Sequence, residues 1–210
     1  FYEALGVEGL KSLEKTIQYI NGRAFTIADA KRGDIGNTAE MYAHAFYNHY
    51  GFDSITLSPY MGADTVEPFL KHKDKWSIIL ALTSNPGADD FEMLKIDDDF
   101  LFEKILKKFS TATSQQVMFV VGATRPQYFE IVRKHAPDNF LLVPGIGAQG
   151  GSLEEVCRYG LNSNTGLIVN SSRQIIYAGS GNDFDEKAAS QAKQIQQQMK
   201  QILVEFKITG

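Results

Sequence analysis

A single cysteine, Cys157, stands among the 210 residues, so no disulfide can close within the chain. That fits a reducing compartment, and a cytoplasmic location is expected. Cys157 falls in the helical pattern Leu153-Glu-Glu-Val-Cys-Arg-Tyr159 and reads as a small packing residue, not a reactive thiol. No apolar run approaches the roughly 20 residues needed to cross a bilayer, so no membrane partner is expected. A basic excess is also missing. The net charge of -4 argues against a general nucleic-acid or membrane-surface binder, although local Arg and Lys can still hold a small anion. Histidines are few (His44, His49, His72 and His135), and all lie in helical segments or at their ends, so no metal site is expected. What is present, 43% hydrophobic and 22% charged residues, suits a globular chain with one sizeable core.

Strand and helix patterns alternate along the chain. Leu5, Leu10, Leu13, Ile17 and Ile20 have helical spacing, with Asn21-Gly22 as the stop. The apolar run Ala24–Ala28 ends in charge. Helices are expected over Thr38–Tyr50, Asp64–His72 (with Asp64 as N-cap), Asp99–Phe109, Pro126–His135, Leu153–Tyr159 and Asp185–Phe206. Strands are expected over Ser54–Leu57, Ser77–Leu82, Val117–Val121, Phe140–Val143 and Gly166–Val169, which with the first run makes six. These runs are continuously apolar, as in a parallel sheet covered by helices on both faces.

A doubly wound sheet and a (β/α)8 barrel both suit this rhythm. The polar residues separate them. Asp29 and Lys31, Ser58, Ser84 and Asn85, Thr124 and Arg125, Gln149, and Ser172 and Arg173 all lie at or just past strand C-termini. A barrel builds its site on that face from many strands, whereas an open sheet concentrates it at one switch point. The expectation is therefore an α/β fold, a TIM (β/α)8 barrel, with residues 1–210 forming one domain. A closed barrel needs eight strands. The chain opens at Phe1 inside a helical pattern, so strands three to eight are read here, with the first two preceding Phe1.

Two constellations carry chemistry. Residues i and i+2 of a strand share a face, so Asp29 and Lys31 should project together, with Asp34 following the turn at Gly33. Such an acid–base–acid array, partly dry, would keep Lys31 protonated and Asp29 ionised. A sheltered ammonium is a good proton donor to a developing carbanion, and a neighbouring carboxylate can repel an anionic leaving group. The plain alternative is a surface ion pair; the position after an apolar strand argues against it. The second constellation is the loop Pro144-Gly-Ile-Gly147-Ala-Gln149-Gly-Gly151, whose glycine amides can approach a phosphate, together with Arg173 after the next strand. An Arg fork clamps phosphate in two places, and the last two strands of such barrels often bind it. Trp76 reads as packing; Tyr42, Phe46 and Tyr47 read as a core or dimer face.

The run Thr26-Ile-Ala-Asp29-Ala-Lys31-Arg-Gly-Asp34-Ile35-Gly-Asn-Thr38 closely resembles the signature of the orotidine 5′-monophosphate decarboxylases. That signature is Asp-x-Lys-x-x-Asp, then Ile or Val, a small residue, a variable position and Thr. Thr83-Ser-Asn-Pro-Gly-Ala88, Val143–Gly151 and Val169-Asn-Ser-Ser-Arg173-Gln-Ile-Ile-Tyr177 look like that family's later loops. Val121-Gly-Ala-Thr124 and the Asn-Ser-Ser-Arg form resemble its longer bacterial branch.

The resemblance implies cofactor-free decarboxylation of orotidine 5′-monophosphate to UMP in de novo pyrimidine biosynthesis. It makes Lys31 the proton donor to C6 and sets Asp29 against the substrate carboxylate. Asp34, Ile35 and Thr38 would reach the partner's site in a homodimer. Ser84 would contact the pyrimidine, and Pro144, Gly147, Gln149, Ser172 and Arg173 the phosphate side of the substrate. The family's further Lys and its ribose-binding Asp lie on the first two strands and have no counterpart among these residues. Two rival expectations are a metal-dependent sugar-phosphate decarboxylase or synthase on the same barrel, and a non-catalytic UMP-binding remnant.

Overall fold

Residues 1–111, 116–147 and 150–208 are described by a computed structural model. The chain divides into two compact units, Phe1–Leu80 and Ala81–Gly210.

The first unit opens with a 3-10 turn, Glu3–Leu5, and helix α1, Gly6–Ile20. Asn21 stops α1 in the left-handed region (φ 44°), and its N–H closes on the Ile17 carbonyl. Strand β1, Ile27–Arg32, follows, then α2, Gly36–Ala43, which runs on as a π-helical segment, His44–His49. Strand β2 is Ser54–Leu57, α3 is Ala63–Leu70, and β3, Trp76–Leu82, carries the chain across the unit boundary. β1 pairs in parallel with β2, and β2 with β3. Ala28, Ile55, Leu57, Val66, Phe69, Ile78 and Ile79 are buried here, so apolar strands pack beneath apolar helix faces.

The second unit adds α4, Ala88–Phe91, a two-residue antiparallel ladder of β4, Lys95–Ile96, with β5, Asp99–Phe100, and then α5, Leu101–Phe109. Strand β6, Val117–Val121, leads through the 3-10 turn Pro126–Tyr128 to α6, Phe129–His135. Strand β7, Leu141–Pro144, is followed by α7, Leu153–Gly160, and β8, Leu167–Asn170, by α8, Arg173–Ile176, and α9, Phe184–Glu205. β6, β7 and β8 pair in parallel in that order. The Gly122 N–H just past β6 reaches the Leu82 carbonyl at the end of β3 (2.8 Å).

Five strand expectations hold within one residue, the first run moves from Ala24–Ala28 to Ile27–Arg32, and two local readings change. Asp64 is not an N-cap: Gly62 takes that position, and Asp64 lies in the first turn of α3. Asp99 belongs to the β4–β5 ladder, and α5 begins at Leu101, where the Glu103 carboxylate accepts the Phe100 N–H (3.0 Å). β1 runs on past the apolar stretch through Asp29, Lys31 and Arg32, so Asp29 and Lys31 lie on the strand, as their strand spacing implied. Residues 87–100 and α8 had no apolar periodicity long enough to announce their short elements.

Candidate functional site

In the first unit the chemistry gathers at the C-terminal end of β1. The pairing with β2 steps from Ala28↔Ile55 to Arg32↔Leu57, so four steps on β1 face two on β2. The surplus is a bulge, a device that re-aims side chains. Lys31 lies in it with φ 46°, a left-handed conformation that costs a non-glycine residue about 1–2 kcal/mol. Simple alternation is therefore broken, yet the two side chains still meet: Lys31 Nζ donates to Asp29 Oδ1 at 2.6 Å. The Thr56 hydroxyl donates to the same oxygen at 3.0 Å and accepts the Lys31 N–H at 2.9 Å.

The pair is less dry than the sequence suggested. The Lys31 and Asp29 side chains are 51% and 57% exposed. Asp34 does not join them. Its Oδ1 accepts the Ile35 N–H (2.8 Å), and its carbonyl accepts the Thr65 hydroxyl (2.6 Å). The expected acid–base–acid array is thus an acid–base pair, with Asp34 holding the turn into α2. Ile35 and Thr38 are exposed at the start of that helix. Arg32, the next residue on β1, pairs with Glu3 and lies over the Tyr42 and Phe46 rings (5.4 and 5.2 Å). An apolar cavity of about 690 Å³ lies beside α1 and β1, lined among others by Leu13, Ile17, Phe25 and Phe52, and takes in Asp29 at its edge.

In the second unit the ends of β3, β6, β7 and β8 carry the remaining residues. Ser84 lies just past β3. Its carbonyl accepts the Thr124 hydroxyl (3.0 Å), and a Cβ on Gly122 would come within 2.7 Å of the Ser84 backbone. Glycine is therefore required at 122 for the two strand ends to approach. Arg125 pairs with Asp89 (2.8 Å), and Glu92 accepts from Thr83 N–H and hydroxyl (2.6 and 2.9 Å). These contacts order the loop after β3.

Pro144, Gly145 and Ile146 line a small cavity of about 50 Å³ with Asn170, Ser171, Ser172 and Arg173. That is space for one or two water-sized groups. The loop turns through Gly145, Gly147 and Gly150, all at positive φ (98°, 71° and 89°). One expectation needs correcting. The amides of Gly147, Gly150 and Gly151 donate to loop carbonyls, so they hold the loop's shape and are not aimed at a ligand. The exposed Arg173 guanidinium has no hydrogen bond or ion pair among the described residues. Gln149 lies outside the described residues.

Other candidates are structural. Cys157 is buried, donates to Met199 Sδ (3.4 Å), and burial pushes its thiol up to about 11. Among the histidines, His135 bonds Glu103 (3.0 Å) and His49 bonds Glu14 (3.2 Å). Burial, and then the charges of His44, Lys75 and Lys71, push His72 down. Among the described residues no three His, Cys, Asp or Glu side chains cluster as a metal site would need, and no helix is long and apolar enough to cross a membrane. Phe46 and Tyr47 are core residues, and Tyr47 donates to the Trp76 carbonyl (2.8 Å). Sequence reasoning missed Thr56, Asn170 and Ser171. The signal for Thr56 was available: Ser54 and Thr56 are the polar alternates of a fully buried strand.

The family described as "Orotidine 5′-phosphate decarboxylase / HUMPS family" matches residues 1–188. An orotidine 5′-phosphate decarboxylase of Flavobacterium johnsoniae is 56% identical over 207 residues, 97% of this chain and 76% of that protein. The Bacteroides fragilis protein of the same name is 55% identical over 204 residues, 95% of this chain and 74% of the relative. Among solved structures, Leishmania donovani OMP decarboxylase superposes with a TM-score of 0.83 at 35% identity, covering 93% of this chain and 77% of that one. The UMP synthase of the same organism superposes with a TM-score of 0.84 at 37% identity, covering 93% of this chain and 44% of that longer one.

Proposed function

The chain belongs to the orotidine 5′-phosphate decarboxylase / HUMPS family, and we infer from that membership that it decarboxylates orotidine 5′-phosphate to UMP and carbon dioxide in pyrimidine biosynthesis. The single observation that carries the reading is identity above half, across nearly the whole chain, to proteins bearing that enzyme's name. The shared name also favours it over sugar-phosphate chemistry on the same barrel.

The chemical difficulty is a carbanion at C6 of the pyrimidine, which no π system delocalises. Accelerations of this kind ask for on the order of 20 kcal/mol. Lys31 supplies the cation that the developing charge needs, and then the proton. Asp29, 2.6 Å from Lys31 Nζ, keeps that ammonium oriented and sets a negative charge against the substrate carboxylate. Its present exposure fits a site that dries when substrate closes it.

Arg173 and Ser172, which line one small cavity with Pro144, serve the phosphate end together with Gly147 and Gln149 of the loop after β7. The Arg173 guanidinium, without a partner among the described residues, supports that role. Ser84 contacts the pyrimidine. Phosphate binding far from C6 lends its energy to closure and orientation. The exposed Ile35 and Thr38, with Asp34 before them, serve the neighbouring subunit of a cytoplasmic homodimer. The parallel strands are read as parts of one (β/α)8 barrel domain, a reading that the likeness to the solved decarboxylases supports.

The test is the ultraviolet absorbance of orotidine 5′-phosphate, followed with the purified protein in EDTA. Absorbance should fall as UMP and carbon dioxide form in equal amounts, with the protein sedimenting at twice the chain mass. UMP binding without turnover, or activity that EDTA abolishes, would overturn the assignment. Turnover by a monomer would overturn the shared site.

A further inference from the structure

We propose that Thr56 is a positioning residue for the decarboxylation: its one hydroxyl fixes both the Lys31 backbone and the Asp29 carboxylate, so that ammonium and carboxylate face the substrate in a single arrangement. The proposal rests on the assignment of Lys31 and Asp29 to the reacting centre.

The bulge in β1 creates the need. Lys31 lies in the left-handed region at φ 46°, its N–H goes to a side chain, and a part-buried N–H left without a partner is costly. Thr56 Oγ1 accepts it at 2.9 Å, in place of a strand carbonyl. The hydroxyl proton then has two acceptors within reach, Asp29 Oδ1 at 3.0 Å and the Ala28 carbonyl at 3.5 Å. The shorter contact ends on a charge and is the stronger. Asp29 Oδ1 therefore receives Thr56 Oγ1 and Lys31 Nζ together, and the carboxylate cannot swing off the lysine without breaking both bonds.

Thr56 is wholly buried on β2, whereas the two side chains it organises are about half exposed. It is the rigid member of the group, and it carries the order of the β1–β2 ladder to two side chains that solvent would otherwise let wander. A buried threonine in an apolar strand also reads as mere packing, since valine has nearly its shape. The hydroxyl's two directed bonds to the reacting residues argue for the further role.

The experiment compares Thr56→Val with Thr56→Ser in the full chain. The readouts are kcat and KM for orotidine 5′-phosphate, and hydrogen exchange at the Lys31 amide. Thr56→Val should lower kcat roughly 10- to 100-fold, the worth of one hydrogen bond to a charged group, with KM changed by no more than about threefold. Its Lys31 amide should exchange faster. Thr56→Ser should restore both readouts to within about threefold of wild type. If Thr56→Val does not fold, Thr56→Cys, with a weaker donor, makes the same comparison.

A Thr56→Val enzyme with wild-type kcat would overturn the proposal. So would a loss in the serine variant, which keeps the hydroxyl, equal to that in the valine variant, which lacks it, because the loss would then not follow the hydroxyl. A wild type inert toward orotidine 5′-phosphate would overturn the assigned reaction and this inference with it; an active wild type matched by Thr56→Val would overturn this inference alone.

Discussion

At the scale of single residues, the contrast between Lys31 and Arg173 is informative. Both are exposed cations at strand ends, but among the described residues Lys31 is already paired and Arg173 is not. A paired lysine serves as an oriented donor, whereas an unpaired guanidinium is free to take a dianion. Arg173→Ala should therefore raise KM for orotidine 5′-phosphate and lower kcat/KM by two or more orders of magnitude, about 3 kcal/mol or more. Steady-state kinetics check this; an unchanged kcat/KM would remove Arg173 from the phosphate site. Residue types and spacing made Asp29, Lys31 and Arg173 legible in the sequence. The sequence did not show that Asp34 turns to its own neighbour's N–H, because a one-residue Asx contact looks the same on paper as a carboxylate aimed into a site.

Elements explain why strands were easier to read than what joins them. Ser54–Leu57 and Val117–Val121 are apolar throughout and appear where their composition put them. The bulge in β1 leaves no such mark, since it is set by pairing with β2 and not by local preference. The turn after α6 is held by Arg133. Its Nε reaches the Gly160 carbonyl (2.7 Å), Nη1 the Ala136 and Asn139 carbonyls (3.0 and 2.7 Å), and Nη2 the Gly166 carbonyl (2.9 Å). Burial pushes this guanidinium down to about 10, and its four bonds offset that penalty. Arg133→Met should therefore cost on the order of 2–4 kcal/mol in denaturant unfolding and leave kcat within about twofold at temperatures where the protein stays folded. An unchanged unfolding midpoint would show the network to be dispensable.

At the scale of the whole molecule, the strand–helix rhythm made the parallel α/β order legible in the sequence, and the gathering of polar residues past strand ends favoured a barrel over an open sheet. The similarity to solved decarboxylases supports the fold they share. The loop shapes were not legible, because glycine spacing permits a phosphate cradle without saying which amides it keeps for itself, and three of them close the loop. The account as a whole rests on Lys31 as the group that faces the developing carbanion. The most direct test is turnover by Lys31→Ala, measured beside its affinity for UMP. The account predicts a kcat lower by several orders of magnitude, with UMP still bound and the fold intact. A Lys31→Ala enzyme turning over at near the wild-type rate would contradict it.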